Sequence, residues 1–211
     1  MSEVGILDYG MGNLRSVANA LRMAGAEPTI IGRPEEVQRC ERVIVPGVGA
    51  FTQAMQHLTD SGMGAALEQA RQAGRPILGI CLGMQLMCRS SQEDAPDDAP
   101  HAGLGWIDAH VRRFPGNPGF KVPHMGWDDV RPAQAGHPLL QGIADGSDFY
   151  FVHSYYVDCA DPGDVLLSGD YDVPYCAAFA HANVAGAQFH PEKSQQVGLR
   201  LLKNFLAWNP C

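Results

Sequence analysis

The chain has 211 residues, 45% of them hydrophobic, and a formal net charge of −8 at pH 7. This length and composition predict one sizeable core and a single domain over residues 1–211, and the acidic balance argues against nucleic-acid binding. Every apolar run is too short to cross a bilayer, and the opening residues lack the basic and apolar regions of a signal peptide, so we expect a cytoplasmic protein.

The first half of the chain alternates short aliphatic runs with helical periodicity. Leu14, Val17, Ala18 and Leu21 recur at helical spacing, and one or two further helices are predicted between residues 51 and 73. Uninterrupted apolar texture, as in VIV and ILGI, is typical of strands that helices cover on both faces. The aliphatic runs predict four strands, at residues 3–8, 28–31, 42–45 and 76–80.

The second half has shorter strand-like runs: FYFVHSYYV, DVLLSG and AGAQFH. A last helix follows, with Val197, Leu201, Phe205 and Trp208 on one side. The two halves together predict a single-domain, flavodoxin-like α/β fold, in which a mixed, largely parallel sheet is flanked by helices and carries antiparallel additions. The acidic, proline-interrupted stretch SQEDAPDDAP, residues 91–100, predicts an exposed loop.

Six cysteines occur, at positions 40, 81, 88, 159, 176 and 211. They form no CxxC pair, and no Cys/His cluster has zinc-site spacing, so the sequence predicts neither a metal nor another cofactor. We expect the thiols to be reduced, because the chain is large for a disulfide scaffold and its compartment is predicted to be the cytoplasm.

Cys81 stands at the centre of GICLG, the thiol counterpart of the Gly-x-Ser-x-Gly elbow. In such an elbow a strained turn projects the nucleophile above the sheet, and glycines at 79 and 83 let strand and helix approach closely. A helix starting near Leu82 would direct free N–H groups at the sulfur and favour the thiolate. The alternative is a buried cysteine that only fills the core, which we adopt for the other five.

His190 and Glu192 lie two residues apart at the end of the run AGAQFHPEKS. In an extended backbone such residues project from the same side, so the carboxylate can orient the imidazole and stabilise its charged form. A cysteine hydrolase needs this arrangement, because the histidine takes the thiol proton. A solvated surface turn is the alternative for an isolated His-Pro-Glu, and the cysteine elbow favours the catalytic interpretation.

The apolar run VIVPGVGAF ends in a proline and two glycines whose backbone can approach a ligand closely. An N–H of Val48 or Gly49, together with that of Leu82, could hold the oxyanion of a tetrahedral intermediate. A phosphate cradle is the alternative function of such a turn. It is the weaker interpretation, because the stretch matches neither GxxxxGK[ST] nor the full GxGxxG pattern.

The segment GICLGMQLM with a downstream HPE resembles the class I, or triad-type, glutamine amidotransferases. Further segments narrow the resemblance to the glutaminase subunits of imidazole glycerol phosphate synthase: DYGMGNLRSV, PGVGAF, VPHMGWD, FVHSYY and QFHPEKSQ. These segments follow one another from the first predicted strand to the last helix. Met84 after CLG also fits these subunits better than the CLGHQ usual in the anthranilate and aminodeoxychorismate glutaminases.

The resemblance implies hydrolysis of L-glutamine to glutamate and ammonia. Cys81 would attack the side-chain amide, and His190, braced by Glu192, would protonate the leaving ammonia. Water activated by the same histidine would then hydrolyse the glutamyl thioester. The resemblance further implies that Gln85 lies near the substrate and that Ser154 and Tyr155 hold its α-amino and carboxylate ends. Taken alone, Gln85 could be an exposed helix residue.

Ammonia is a nucleophile only while unprotonated, so it should reach its acceptor by a shielded route in a docked partner. The resemblance implies that this partner is a cyclase subunit, which forms a heterodimer with the glutaminase and makes imidazole glycerol phosphate in histidine biosynthesis. Asn13 and Lys193 match positions at or near the interface, and Tyr150 and His153 are further candidates.

Two alternatives stay open at this point. One is a glutaminase paralogue that supplies ammonia to another synthase, and the other is a non-catalytic α/β module that uses its glycine loops to bind a partner or small ligand. For the glutaminase itself we expect low activity until the cyclase and its ligand are bound, because uncoupled hydrolysis would waste glutamine.

Overall fold

The structure, a computed structural model, describes residues 4–96 and 99–210. Within these residues the chain forms six α-helices and thirteen strands. The helices are α1 (Leu14–Ala24), α2 (Pro34–Val37), α3 (Phe51–Asp60), α4 (Met63–Gln72), α5 (Leu82–Leu86) and α6 (Gln195–Ala207). The strands are β1 (Val4–Leu7), β2 (Thr29–Ile31), β3 (Arg42–Gly47), β4 (Ile77–Cys81), β5 (Cys88–Ser91), β6 (His101–Ala102), β7 (Ile107–Arg113), β8 (His124–Pro132), β9 (Ser147–His153), β10 (Tyr155–Cys159), β11 (Val165–Tyr171), β12 (Val173–His181) and β13 (Val184–Ala187).

A parallel sheet forms the centre of the molecule. Strands β2, β1, β3, β4 and β13 lie side by side in that order and all run in the same direction. Helices cover both faces, so alternate side chains of one strand enter different cores: Ile44 packs with α1 and α6, whereas Val43 and Val45 pack with α3 and α4. Burial on both faces explains the uninterrupted apolar runs of the sequence.

Beyond β13 the sheet continues through β12, β10, β7, β5 and β6, and β11, β8 and β9 branch from β12. The pairs are antiparallel except β5 with β7. Antiparallel additions were predicted, but β5 to β8 and β12 were not placed individually. Strand β8, HMGWDDVRP, illustrates the reason: it is buried only in part, so its sequence lacks an aliphatic run.

Three details differ from the sequence-based expectation. Trp208 is buried but follows the end of α6 in an extended conformation. Strand β13 ends at Ala187, so AGAQFH is a strand only in its first part. The segment 91–100 is not exposed throughout, because Ser91 is fully buried at the end of β5 and the Glu93 carboxylate accepts a hydrogen bond from a neighbouring helix. Residues 97–98 of this segment and Cys211 lie outside the described part of the chain.

The parallel strands bring four distant loops to one edge of the sheet. Because β1, β3, β4 and β13 run in the same direction, the segments that follow them, residues 8–13, 48–50, 81–82 and 188–190, meet at their carboxyl ends. In open α/β sheets this edge is where ligands bind. No helix in the described ranges is long and apolar enough to cross a membrane.

Candidate active site

A pocket of about 390 Å³ opens at the carboxyl edge of the parallel strands. Three sequence segments that are far apart line it: the turn with Val48 and Gly49, the elbow with Cys81 and Leu82, and the segment with His190. Cys81 is 7% exposed, so its side chain lies within the molecule but faces this opening. The pocket therefore brings together the predicted nucleophile, the predicted base and the predicted oxyanion residues.

The elbow at Cys81 has the strained backbone that its glycine frame predicted. Cys81 adopts φ 53° and ψ −112° between β4 and α5, a conformation that L-residues rarely adopt outside functional turns. A Cβ on Gly83 would lie 1.8 Å from the carbonyl oxygen of Val45, and one on Gly79 would lie 2.6 Å from the Gly83 oxygen. Only glycine at these two positions lets β3, β4 and α5 approach so closely.

His190 and Glu192 form a buried pair. Nδ1 of His190 lies 2.8 Å from Oε1 of Glu192, and both side chains are at most 2% exposed. The approach differs from the prediction, since Glu192 lies in a 3₁₀ turn at Pro191–Lys193 rather than in extended backbone. The backbone of His190 is held on both sides, because its N–H donates to the Tyr150 carbonyl and its carbonyl accepts from the Ser194 hydroxyl.

Two opposing effects act on the charge of His190. Burial lowers the pKa of His190, because the imidazolium loses its hydration, but hydrogen bonding and charge from Cys81 and Glu192 prevail and raise the pKa to about 9. Its Nε2 atom is buried and makes no hydrogen bond of standard geometry within the described residues, although Cys81 lies near enough to act on its charge. Since Nδ1 faces Glu192, Nε2 is the ring nitrogen that can exchange a proton with the sulfur.

The predicted oxyanion donors, the backbone N–H groups of Leu82, Gly49 and Val48, differ in their hydrogen bonding and backbone conformation. Leu82 is the first residue of α5, so its N–H has no acceptor within the helix. Gly49 lines the pocket in a left-handed conformation, with φ 103°. The N–H of Val48 is not directed at the pocket, contrary to the prediction, because it donates to the carbonyl of Met11 at 3.0 Å.

The three predicted substrate residues all line the pocket. Gln85 is 5% exposed, so it is not a surface residue of its helix. Its Nε2 donates to the Tyr155 carbonyl at 3.1 Å and to Oε1 of Gln188 at 2.9 Å, which leaves only its oxygen available to a ligand. Ser154 lies in the bend between β9 and β10, and its carbonyl accepts from the N–H of Phe114.

Of the predicted interface residues, the structure brings two together. The Lys193 ammonium lies 5.8 Å from the centre of the Tyr150 ring, within cation–π distance, and Lys193 also lines the pocket. Asn13 is exposed at the N-cap of α1, where its side chain accepts from the Ser16 N–H. It borders a small cavity beside His190 and Glu192.

Sequence reasoning did not identify several polar residues around the pocket. Glu93 lines the pocket and accepts the Phe51 N–H at 2.7 Å, at the start of α3, and burial raises the pKa of its carboxyl. The Tyr9 hydroxyl donates to the carbonyl of Pro46, immediately before the glycine turn. Gln188 lies against Cys81. Only Gln188 carries a sequence signal, its position two residues before His190.

This arrangement is suited to nucleophilic attack on a carbonyl carbon. A thiol at a strained elbow, an imidazole with one free nitrogen and a carboxylate that orients it form the three parts of a cysteine hydrolase triad. The N–H of Leu82 lies at a helix N-terminus beside the sulfur, where an oxyanion would develop.

Comparison with known proteins gives the family. A family model described as glutamine amidotransferase class-I matches residues 5–208. The imidazole glycerol phosphate synthase subunit HisH of Methylococcus capsulatus is 46% identical over 219 residues, covering all of this chain and 98% of that protein. The subunit of the same name from Methanosarcina mazei is 47% identical over 208 residues, covering 98% of each chain.

A solved structure, PurLQS from Thermotoga maritima, matches with a TM-score of 0.75 at 19% identity and covers 98% of this chain and 99% of that one. A structure described as a glutamine amidotransferase matches with a TM-score of 0.72 at 21% identity, covering 97% of each chain. At these identities the likeness concerns the fold, and it confirms the predicted α/β class. The chain belongs to the class-I glutamine amidotransferase family, among the HisH subunits of imidazole glycerol phosphate synthase.

Proposed function

We propose that Cys81, His190 and Glu192 are the catalytic triad with which this glutamine amidotransferase hydrolyses L-glutamine. One observation carries the proposal. His190 and Cys81 line the same pocket, and since Nδ1 of His190 is bonded to Glu192, its Nε2 remains to act on the sulfur of Cys81 at the strained elbow. We further propose that residues 1–211 act as one glutaminase domain, since the family match spans most of them.

In the first half of the reaction the Cys81 thiolate forms a bond to the side-chain carbonyl carbon of glutamine. The carbonyl π electrons move to oxygen and give a tetrahedral oxyanion, which the Leu82 N–H stabilises. His190, protonated at Nε2 by the thiol, then gives this proton to the amide nitrogen. The carbon–nitrogen bond breaks, ammonia leaves, and a glutamyl thioester remains on the sulfur.

In the second half the thioester is hydrolysed. Neutral His190 takes a proton from water, and the resulting hydroxide equivalent attacks the thioester carbon. A second oxyanion forms at the same N–H groups, and its collapse breaks the carbon–sulfur bond. Glutamate leaves, and Glu192 keeps the imidazole oriented with Nε2 towards the sulfur throughout both halves.

Glutamine carries an ammonium and a carboxylate at its far end, and we propose that the outer part of the pocket recognises them. Ser154 and Tyr155 line the pocket, and the family resemblance implies that they contact the substrate. Glu93 supplies a carboxylate suited to the ammonium group. Gln85 can only accept a hydrogen bond from a ligand, because both N–H groups of its amide are already used.

The oxyanion site lacks the N–H of Val48 in this structure, since that N–H donates to the carbonyl of Met11. We propose that a rearrangement of this peptide, coupled to partner binding, directs the Val48 or Gly49 N–H into the pocket. Removal of one oxyanion donor typically costs about 10²–10³-fold in rate. The isolated chain would therefore hydrolyse glutamine slowly.

The partner in this proposal is the cyclase subunit of imidazole glycerol phosphate synthase, and the two chains form a heterodimer that serves histidine biosynthesis. The names of the relatives, which are subunits of that synthase, support it. Asn13, Tyr150 and Lys193 are proposed to lie at or near the interface. We propose a cytoplasmic location, because the relatives are subunits of a biosynthetic enzyme.

Two variants test the triad. Cys81→Ala and His190→Ala should each lower glutamine hydrolysis in the complex by at least about 10³-fold, because each removes a group that forms or breaks bonds. The circular dichroism of both variants should stay close to wild type, and so should the melting temperature of Cys81→Ala. His190→Ala should fold but melt at a lower temperature, because it leaves the buried Glu192 carboxylate without its partner. Full turnover in either variant would refute the assignment.

A glutamine-mimicking electrophile separates a catalyst from a binding module. We expect one equivalent to be incorporated at Cys81, read by mass spectrometry of the peptide, and no labelling of Cys88 or Cys176, which are buried. Reversible binding of the reagent without covalent modification would favour the non-catalytic alternative.

A further inference from the structure

Gln188 is a fully buried polar residue that the mechanism above does not use. It follows β13 directly, and its backbone N–H continues the sheet by donating to the carbonyl of Ala177. Its side chain lies between two pocket residues: Oε1 is 2.9 Å from Nε2 of Gln85, and Nε2 is 3.8 Å from the sulfur of Cys81.

The direction of the Gln188 amide follows from a backbone carbonyl. Gln85 Nε2 lies 3.1 Å from the Tyr155 carbonyl oxygen, which can only accept, so the NH₂ group of Gln85 must face Tyr155 and Gln188. The oxygen of Gln188 therefore faces Gln85, and its NH₂ group faces the sulfur. His153 donates to the same carbonyl through Nδ1 at 2.8 Å, and burial lowers the pKa of His153 to about 3, so this donor stays neutral.

The sulfur of Cys81 needs such a donor. Within the described residues, the remaining hydrogen-bonding contact of the sulfur, besides His190 and Gln188, is the carbonyl oxygen of Val152 at 3.9 Å, which accepts from a thiol but repels a thiolate. The N–H of Gln188 compensates this repulsion, because a hydrogen bond to the charged form favours that form.

We propose that Gln188 is a further catalytic residue, whose side-chain amide donates an N–H to the sulfur of Cys81 and holds it as a thiolate directed at the pocket. The proposal rests on the proposed function, in which Cys81 is the nucleophile. Gln85 and the Tyr155 carbonyl act as positioning groups, since they fix which end of the Gln188 amide meets the sulfur.

The test measures the acid–base behaviour of Cys81 itself. Full-length protein is alkylated with iodoacetamide between pH 5 and pH 10, and the rate is read at the Cys81 peptide by mass spectrometry. In Gln188→Met, which keeps the side-chain volume but has no donor, the midpoint of the pH–rate curve should move up by about one pH unit, so that alkylation at a pH below both midpoints should slow roughly tenfold. In Gln188→Glu the shift should be larger, because a like charge then faces the thiolate.

Asn183 provides a matched control at the other end of β13. It is also a buried amide, and it donates to the carbonyls of Arg71 and Arg75, away from the pocket. Asn183→Leu should lower the melting temperature but leave the alkylation midpoint of Cys81 unchanged. Gln85→Leu should shift the midpoint in the same direction as Gln188→Met but by less, because the donor is kept and only its orientation is lost.

The outcomes separate this proposal from the proposed function. If wild type titrates well below the value of a free cysteine, about 8.5, while Gln188→Met and Gln188→Glu titrate like wild type, the role of Gln188 is refuted and the triad stands. If Cys81 of wild type titrates like a free cysteine, the assignment of Cys81 as an activated nucleophile is refuted, and the role of Gln188 with it. Should Gln188→Met not fold, the near-isosteric Gln188→Glu and the Gln85→Leu variant decide.

Discussion

At the scale of single residues, the chemistry of the site depends on how a few side chains are held rather than on their number. His190 is fixed by its own backbone and by Glu192, so that only Nε2 is free. The sulfur of Cys81 is fixed by a backbone conformation that few residues adopt. Each reacting atom is thus oriented before the substrate arrives, which lowers the cost of reaching the transition state.

The charge of His190 predicts a pH dependence of activity. The pKa of His190 is about 9, so the imidazolium that protonates the leaving ammonia is lost as the pH rises through that value. Glutamine hydrolysis by the complex should therefore fall on the alkaline side with a midpoint near pH 9, as measured by single-turnover release of ammonia. A rate that stays constant from pH 8 to pH 10.5 would contradict the assignment of His190 as the general acid.

The same group makes a prediction for stability. The pKa of His190 in the folded state lies above the ordinary value of 6.5, so its contribution is fully present below pH 6.5 and is lost as the pH rises through about 9. Cys81 is one cause of the raised pKa, and we expect the loss between pH 6.5 and pH 9 to be smaller in Cys81→Ala than in wild type. Urea unfolding at several pH values measures the difference; equal slopes in the two proteins would refute it.

At the scale of elements, the site is built where β3, β4 and α5 approach more closely than ordinary side chains allow. The glycines of the elbow serve this packing as much as the turn itself, since the space beside each is occupied by backbone atoms. The strain at Cys81 is maintained because the surrounding elements leave the chain no alternative path. The position of the nucleophile therefore depends directly on how closely β3, β4 and α5 pack.

Gly83→Ala tests this coupling. The added methyl would lie 1.8 Å from the Val45 carbonyl oxygen, so α5 must move away from β3, and the free energy of unfolding should fall by about 3 kcal/mol. Glutamine hydrolysis should fall with it, because the sulfur moves as well. Gly32→Ala is the control: no heavy atom lies within 4 Å of its added methyl, and its stability should stay within about 0.5 kcal/mol of wild type. A stable, active Gly83→Ala would contradict the model of the elbow.

At the scale of the whole molecule, hydrogen bonds between distant parts of the chain hold the sheet and the last helix together. Arg42 on β3 is 6% exposed and reaches the end of α6, where it donates to the carbonyls of Phe205 and Trp208 and to the Asn209 side chain. These bonds join the central parallel sheet to the last helix. That helix begins just after His190 and Glu192, so its position also bears on the site.

We expect Arg42→Met to lower the free energy of unfolding by about 3 kcal/mol, because two buried carbonyls lose a charged donor. Urea denaturation followed by circular dichroism gives this value. Arg39→Met is the control. It makes the same change at an exposed position just before β3, and it should alter the free energy of unfolding by no more than about 0.5 kcal/mol. Equal effects of the two substitutions would show that the contacts of Arg42 do not stabilise the fold.

Activation by the partner is also a property of the assembled molecule. Addition of the cyclase subunit with its ligand should raise glutamine hydrolysis by at least about 10²-fold, the contribution of one oxyanion donor. Steady-state assays of the chain alone, of the complex and of the complex with cyclase ligand measure the increase. High activity of the chain alone would mean that the bond between Val48 and Met11 does not limit catalysis.

The sequence by itself determined the features that depend on neighbours in the chain. The parallel strands follow from aliphatic runs and the elbow from two glycines around Cys81. The closeness of His190 and Glu192 was predicted from their separation by two residues, although the 3₁₀ turn that brings them together was not. The catalytic roles of these residues remain predictions. The family resemblance added the substrate and partner class, which the spacing of residues alone left open.

Only the tertiary structure decided the features that depend on contacts between distant segments. The Val48 N–H is bonded to Met11 across 37 positions of the chain. Glu93, from a segment expected to be exposed, reaches the start of α3, and the amide of Gln188 takes its direction from Gln85 and the Tyr155 carbonyl. The physical reason is common to all three: the direction of a hydrogen bond depends on where the fold places its acceptor, and local sequence does not contain that position.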